Sequence, residues 1–535
     1  MKNNDSCVTI VAVSPDSKAV SIRRTFWKGT NTVVIMRKER GITMIKYMST
    51  RGSKNEKTAA QAIIAGMAED RGLYVPGSIP ELPFKPGDMT GKTYKEIATQ
   101  IIGAFFDDFT DEEIKYCIDG AYTDKFEADD VVPVVSAGKA HFLELYHGRT
   151  AAFKDMALSI LPYLLTTSMK KENEDKKICI LTATSGDTGK AALEGFADVP
   201  GTEIIVFFPN KGVSAVQERQ MVSQKGENVH VFAVNGNFDD TQTGVKNIFE
   251  DKEINEKLAA EGIKLSSANS INIGRLVPQV AYYVYGYIKL IERGVISDGD
   301  KVNVVVPTGN FGNILAAYYA SLMGIPVNKF ICASNKNKVL TDFIATGTYD
   351  RNRDFYLTNS PSMDILISSN LERLLYHLAG GDADQVCDLM SGLDKDGKYT
   401  VSDKIKDGMA GFYGGFADVE QTNAAIGKMY DENGYLMDTH TAVAYKVYED
   451  YLEKTGDETP ALIASTASAY KFAGSVTSSL GMEESEDEFA AVEALEEKTG
   501  VRVPSGLRNL KEAPVRHGDV IDIDGMPGAV LGSLK

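Results

Sequence analysis

Four short runs of β-branched and other apolar residues, each followed by a longer stretch of helical period, constrain the fold more than any other feature of this sequence. Ile178-Cys179-Ile180-Leu181 leads through a glycine-rich turn into Lys190-Ala191-Ala192-Leu193-Glu194-Gly195-Phe196. Glu203 to Phe208 runs into Pro209, and a helix is expected from Ser214 to Gln224. Val229 to Val234 precedes a helix from Asp239, and Val302-Asn303-Val304-Val305-Val306 precedes one that begins near Phe311. Near-continuous apolar strands separated by helices predict a parallel sheet covered on both faces, because a sheet with one wet face would alternate apolar and polar residues. The fold class is therefore α/β.

Charge and cysteine usage narrow the partners. A formal net charge of -17 over 535 residues repels polyanions, which excludes a protein that wraps nucleic acid or coats an anionic membrane. No apolar run reaches the roughly 18 residues of a transmembrane helix. Cys7, Cys117, Cys179, Cys332 and Cys387 are scattered and odd in number, so no metal site and no disulfide framework is indicated, and a cytoplasmic setting is expected. Residues 1–43 stand apart: Lys2, Lys18, Arg23, Arg24, Lys28, Arg37, Lys38 and Arg40 face only Asp5, Asp16 and Glu39. Arg37-Lys38-Glu39-Arg40-Gly41 can be encoded by a purine run just upstream of Met44, as a translated ribosome-binding site would be. The expectation is that Met44 is the natural start.

Two glycine-rich turns carry candidate chemistry. Pro307-Thr308-Gly309-Asn310-Phe311-Gly312-Asn313 lies between a buried strand and an apolar helix. Glycines there let backbone approach an anion, and the helix start offers free N–H groups and the positive end of its dipole, a phosphate site. Thr184-Ser185-Gly186-Asp187-Thr188-Gly189-Lys190 occupies the corresponding place after an earlier strand. It fails the P-loop pattern, since Thr184 stands where a glycine is required and Ala191 follows Lys190. Ser185, Thr188 and the backbone could hold a substrate carboxylate; the alternative is a helix start capped by Asp187 or Thr188.

Lys154 sits among Ala151, Ala152, Phe153, Met156, Ala157 and Leu158. Apolar surroundings desolvate an ammonium and favour the neutral amine that attacks an aldehyde, although a lysine snorkelling from an amphipathic helix has the same sequence signature.

At this point the residues carry a resemblance. His147 to Asp155 (H-G-R-T-A-A-F-K-D) is similar to the cofactor-lysine motif H-G-P-T-x-A-F-K-D of threonine synthases, and T-S-G-D-T-G at 184–189 and P-T-G-N-F-G-N at 307–313 match theirs. Further matches are Y-M-S-T-R-G at 47–52, Asn269 to Asn272 with Arg275, Ser360 to Ile365, Asp438-Thr439-His440-Thr441-Ala442, and Ser465-Thr466-Ala467 with Lys471-Phe472. The resemblance runs from Met44 to about Val476. It implies a fold-type-II pyridoxal 5'-phosphate enzyme, tryptophan synthase β-like, with two open parallel-sheet lobes and an additional N-terminal domain.

The resemblance also implies roles. Lys154 would bond the cofactor, Gly309, Asn310, Phe311, Gly312 and Asn313 would hold its phosphate, and Thr466 would meet the pyridine nitrogen. Ser185, Gly186, Asp187, Thr188 and Gly189 would bind the substrate carboxylate. Arg275 and the Ser49-Thr50-Arg51 segment are candidates for the phosphate of O-phospho-L-homoserine, which with water would give L-threonine and phosphate. The implied organisation is an N-terminal domain at 44–135, a catalytic region at 136–476 with a helical insertion at about 350–460, and a helical tail at 477–535, working as monomer or homodimer. Arg149, Thr439 and Ala469 depart from the family pattern by replacing prolines, which loosens loops without removing a reacting group. Arg149 could add a cation near the anionic ligands or point to solvent, and His440 with Asp438 could be an acid–base dyad or a structural pair. Two rivals remain: a lyase of the same fold acting on another phosphorylated amino alcohol, and a non-catalytic ligand-binding homologue.

Overall fold

The computed structural model describes residues 44–535 apart from Ser185, Glu484 and Lys535. The expectations about residues 1–43 and about Ser185 fall outside these.

The apolar runs do form parallel strands, but they divide between two sheets. Lys177–Ala183, Thr202–Pro209 and Val229–Asn235 lie side by side in a five-stranded sheet, flanked by Ile263–Ser266 and Val520–Asp522, with every pair parallel. Val302–Pro307 instead belongs to a six-stranded sheet, between Val327–Ser334 and Ala461–Ser465. That sheet continues to Phe412–Phe416 at one edge and to Ala140–Glu144 and Val134–Ala137 at the other. Only the last two strands pair antiparallel, which a short hairpin at Gly138 permits.

Helix starts follow their local chemistry. Ser214 caps Ala215–Val222 and Asn237 caps Phe238–Glu250, each with a reciprocal bond from the third helical residue, Gln217 or Asp240, so two otherwise orphaned donors are satisfied at each end. The helix Ile273–Glu292 is buried along nearly its whole length, from Ile273 to Leu290. It is the axle of the larger core, packing against Tyr94–Phe105, Gly312–Met323 and Asp155–Leu158. A helix that is apolar all round belongs inside a core, and among the described residues no helix is long and apolar enough to cross a membrane.

Two expectations are corrected. The region 350–460 is not simply a helical insertion: Phe412–Phe416 pairs with Phe330–Ser334 as an edge strand of the main sheet, and Thr348–Asp350 pairs with Lys398–Thr400. The tail is not simply helical either, because Val520–Asp522 joins the five-stranded sheet beside Ala233–Asn235 and Met526 and Val530 are buried in that lobe's core. The acidic helix spans Glu488–Thr499; Ala491, Val492 and Leu495 are buried while Glu493, Glu496 and Glu497 face water.

Candidate active site

Lys154 is fixed by backbone before its side chain does anything. The amide of Phe153 donates to Thr466 O (2.8 Å) and the amide of Ser468 to Ala151 O (3.0 Å). The segment carrying the lysine is thus tied to the end of strand Ala461–Ser465. Ala151 adopts φ 56, a left-handed conformation that costs a non-glycine residue energy and marks an over-determined turn. From there Lys154 Nζ reaches 3.4 Å from Asp187 Oδ2 and 3.3 Å from Ser362 Oγ. Burial lowers its pKa and Lys471 and Arg275 lower it further, against the pull of Asp187.

The loop at 309–313 faces this lysine through the 360–364 segment. Phe311 adopts φ 63 at the helix N-cap, and the first turn-to-turn bond of the helix is Leu315 N to Phe311 O (3.0 Å). The amides of Gly312, Asn313 and Ile314 precede that bond and have no intrahelical acceptor. Asn313 takes a hydrogen bond from the Tyr283 hydroxyl on its Oδ1, yet its buried Nδ2 has no partner. A buried orphan donor costs about 1–3 kcal/mol, so the position fits an anionic ligand. Ser368 Oγ donates to Gly309 O (2.7 Å) and Asn370 Nδ2 to Asn310 O (3.0 Å), which fixes the loop from behind. A Cβ on Gly309 would stand 2.5 Å from Ser362 O: the glycine is required by close approach.

Arg275 is the second orphan. Its Nη1 donates to Ala268 O (2.8 Å), its Nε is buried without a partner, and burial lowers its pKa to about 10. An uncompensated buried guanidinium fits an anion beside Lys154. Ser49, Thr50 and Arg51 are committed elsewhere: Ser49 Oγ donates to Asp70 (2.7 Å), and Arg51 holds Glu372 through Nε and Nη2 (3.0 and 2.9 Å). Thr466 is buried, with its carbonyl taken by Phe153 and its amide bonded to Thr441 Oγ1 (3.3 Å), so only its hydroxyl is left for a ligand.

The turn at 184–190 departs from what its sequence promised. Neither Asp187 nor Thr188 caps the helix Asp187–Phe196; the N-cap is Gly186 at φ 144. Thr184 Oγ1 does the capping, accepting from Gly186 N (3.0 Å) and Gly189 N (2.9 Å), so those two amides are withdrawn from a substrate carboxylate. The Asp187 side chain turns inward between Lys154 and Lys471, whose Nζ lies 2.8 Å from Oδ1, and Gln217 Nε2 donates to the same oxygen (3.0 Å). Burial pushes the Asp187 carboxyl up, but Lys471 and Lys154 outweigh it and hold the group well below the usual carboxylate range. A carboxylate so placed does not bind another carboxylate through its side chain. The nest narrows to Asp187 N, Thr188 N and the half-buried Thr188 hydroxyl.

His440 accepts from Ser362 N on Nε2 (3.1 Å), and its Nδ1 faces Asp438 Oδ2 (2.8 Å). The acceptor role of Nε2 assigns the proton to Nδ1, so the pair orients the serine beside Lys154. His147 pairs with Glu144 (2.7 Å). Arg149 is half exposed and 3.9 Å from Glu194. Among the described residues no cluster of His, Cys, Asp and Glu could hold a metal.

Sequence reading missed Thr184, Lys471 and Ser362. All three stood inside quoted motifs, and only the fold shows which atoms they touch.

A two-lobed α/β fold with a largely enclosed lysine facing a phosphate-type loop defines a class, and comparison with known proteins bears it out. Residues 141–466 match the family model described as pyridoxal-phosphate dependent enzyme. Residues 46–122 match threonine synthase N terminus, and residues 441–513 match threonine synthase, C-terminal. The human protein threonine synthase-like 1 is 40% identical over 80% of this chain and 58% of its own length; the chain thus spans little more than half of that relative. The threonine synthase of Schizosaccharomyces pombe is 35% identical over 80% of this chain and 88% of its own. The PLP-bound threonine synthase of Brucella melitensis superposes with a TM-score of 0.82 at 35% identity, covering 92% of this chain and 100% of that one. The chain belongs to the threonine synthase family of pyridoxal-phosphate-dependent enzymes.

Proposed function

We propose that this protein converts O-phospho-L-homoserine and water to L-threonine and phosphate, with Lys154 as the residue bonded to the cofactor. The observation that carries the reading is the pairing of a lysine whose side chain is only 12% exposed with two orphaned buried donors, Asn313 Nδ2 and Arg275 Nε. One fits a phosphate held at the 309–313 loop; the other fits a second anion beside the amine.

Gly309, Asn310, Phe311, Gly312 and Asn313 would cradle the cofactor phosphate, and the Thr466 hydroxyl would meet the ring nitrogen. When bound, pyridoxal phosphate supplies an electron sink for carbanions at Cα and Cβ of the substrate. The Lys154 amine would move protons at both carbons, since one amine in reach of adjacent positions serves successive transfers. Asp187 and Ser362 hold that amine between transfers. Arg275 would bind the substrate phosphate and steady it as the Cγ–O bond breaks; Cγ then takes up a proton and Cβ the hydroxyl of water, which completes the threonine side chain. Asp187 N, Thr188 N and the Thr188 hydroxyl orient the substrate carboxylate, with Ser185 assigned to the same role by the motif alone. The setting proposed is cytoplasmic, as monomer or homodimer, on a small substrate without nucleic acid or membrane.

Purified protein given O-phosphohomoserine is expected to release phosphate and threonine in equal amounts. Phosphate without threonine would point to the rival phospholyase, and neither product to a non-catalytic homologue. Borohydride trapping followed by peptide mapping is expected to place the label on Lys154.

A further inference from the structure

Lys471 is a fully buried charged group near the site, and nothing in the reaction above uses it. Its side chain is 0% exposed. Its Nζ has three neighbours: Asp187 Oδ1 at 2.8 Å, Thr150 O at 2.9 Å and Gln220 Oε1 at 3.3 Å. An ammonium has three donors and no acceptor, so each N–H finds an acceptor and one of these is a carboxylate.

Asp187 thereby lies between two lysines, and not symmetrically. Lys471 is at 2.8 Å on Oδ1; Lys154 is at 3.4 Å on Oδ2. One negative charge shared this way is largely spent on Lys471, and Lys154 is left beside a pair whose net charge is zero. We propose that Lys471 is a positioning residue that acts on Lys154 through Asp187: by taking the carboxylate as its own counter-ion, it prevents Asp187 from fixing Lys154 as a salt-bridged ammonium. Lys154 is then available as the neutral amine.

The chemistry requires that form. To load the cofactor, the Lys154 nitrogen uses its lone pair to bond the aldehyde carbon, and the aldehyde oxygen leaves as water with the two amine hydrogens. An ammonium has no lone pair to give. The other groups facing Lys154 are Arg275 from the helix Ile273–Glu292, the Ser362 hydroxyl and the Phe153 ring, 5.5 Å from Nζ to its centroid. Arg275 adds to the effect of Lys471, and none of the three supplies a second anion. Behind Lys471 stand Asp155, Lys190 and Glu194. Burial raises Asp155 to about 6, and its oxygens accept from Thr150 N (2.9 Å) and Thr150 Oγ1 (2.6 Å). Lys190 lies 3.5 Å from Glu194 Oε2. Lys190 is thus paired with Glu194, Asp155 also acts on Lys471, and Asp187 is the carboxylate that Lys154 and Lys471 share.

The inference rests on Lys154 as the cofactor lysine, and its test separates the two. The full-length chain, freed of cofactor, is mixed with pyridoxal phosphate; covalent uptake is followed by absorbance from neutral to alkaline pH, and the product is trapped with borohydride and mapped. Lys471→Met is expected to slow uptake at neutral pH by about tenfold, the effect of raising the amine's titration by one pH unit, and to move the midpoint of the pH profile upward. The double variant Asp187→Asn with Lys471→Met is expected to restore the wild-type midpoint, and Lys471→Arg to keep it. An unmoved or lowered midpoint in a folded Lys471→Met protein overturns the proposal. Should circular dichroism show that variant unfolded, Lys471→Gln, which keeps a donor toward Asp187, is read by the same criterion. Label on a lysine other than 154 sinks the functional reading itself; label on Lys154 with an unmoved profile sinks only the role of Lys471.

Discussion

The two glycine-rich turns occupy equivalent places, each leading from a parallel strand into a helix, and their sequences differ little in character. At 184–190 the threonine that follows the strand folds its hydroxyl over the turn and takes the amides of Gly186 and Gly189. At 307–313 the corresponding threonine turns back instead, its Oγ1 donating to Val306 O (2.7 Å). The first turn is closed and holds a buried carboxylate; the second is open and holds a buried donor without a partner. Glycine content alone does not make an anion site. What decides is whether a neighbouring hydroxyl has already consumed the amides.

The contrast breaks most sharply at Asn313. Asn313→Asp puts a carboxylate where an anion is to bind, and like charges at contact cost several kcal/mol. Cofactor affinity is expected to fall by about 100-fold or more, measured by titrating pyridoxal phosphate against absorbance. Gly309→Ala is expected to weaken binding by about tenfold, because its Cβ would stand 2.5 Å from Ser362 O and overpacking of this kind costs about 1–3 kcal/mol. Thr184→Val tests the closed turn. Two buried amides lose their acceptor, so denaturant unfolding is expected to show a loss of about 1–2 kcal/mol with cofactor affinity unchanged. The smallest effect is expected from Arg149→Ala: the side chain is half exposed and 3.9 Å from Glu194, and such pairs contribute about 0–1 kcal/mol. A large rise in KM for that variant would bring Arg149 back among the anion-binding groups.

What the sequence revealed and what it hid divide along the same physical line. The strands at 178, 203, 229 and 302, the helix after Ser214 and the glycine turns are local, set by residues within a few positions of one another. The partition of those strands into two sheets is not, since Ala461–Ser465 is placed between Val302–Pro307 and Ala140–Glu144 by pairing across hundreds of residues. The same holds for single side chains. Arg51 was a candidate for phosphate by motif, but its partner Glu372 lies 321 positions away. Lys471 was quoted for its resemblance and stayed mute until Asp187 was found against it. Thr184 was the one legible exception: a threonine preceding a glycine turn is a known taker of nearby amides, and that signal was available.

The strand Val229–Asn235 illustrates what such distance demands of assembly. Its outer edge is covered by Val520–Asp522, and Asn235 Nδ2 reaches Asp522 Oδ1 across 287 positions. Until that remote segment arrives, a row of unpaired amides and carbonyls stands bare, a template that another copy could complete. Recovery of native protein after dilution from denaturant should therefore fall as concentration rises, with the loss concentrated in aggregates.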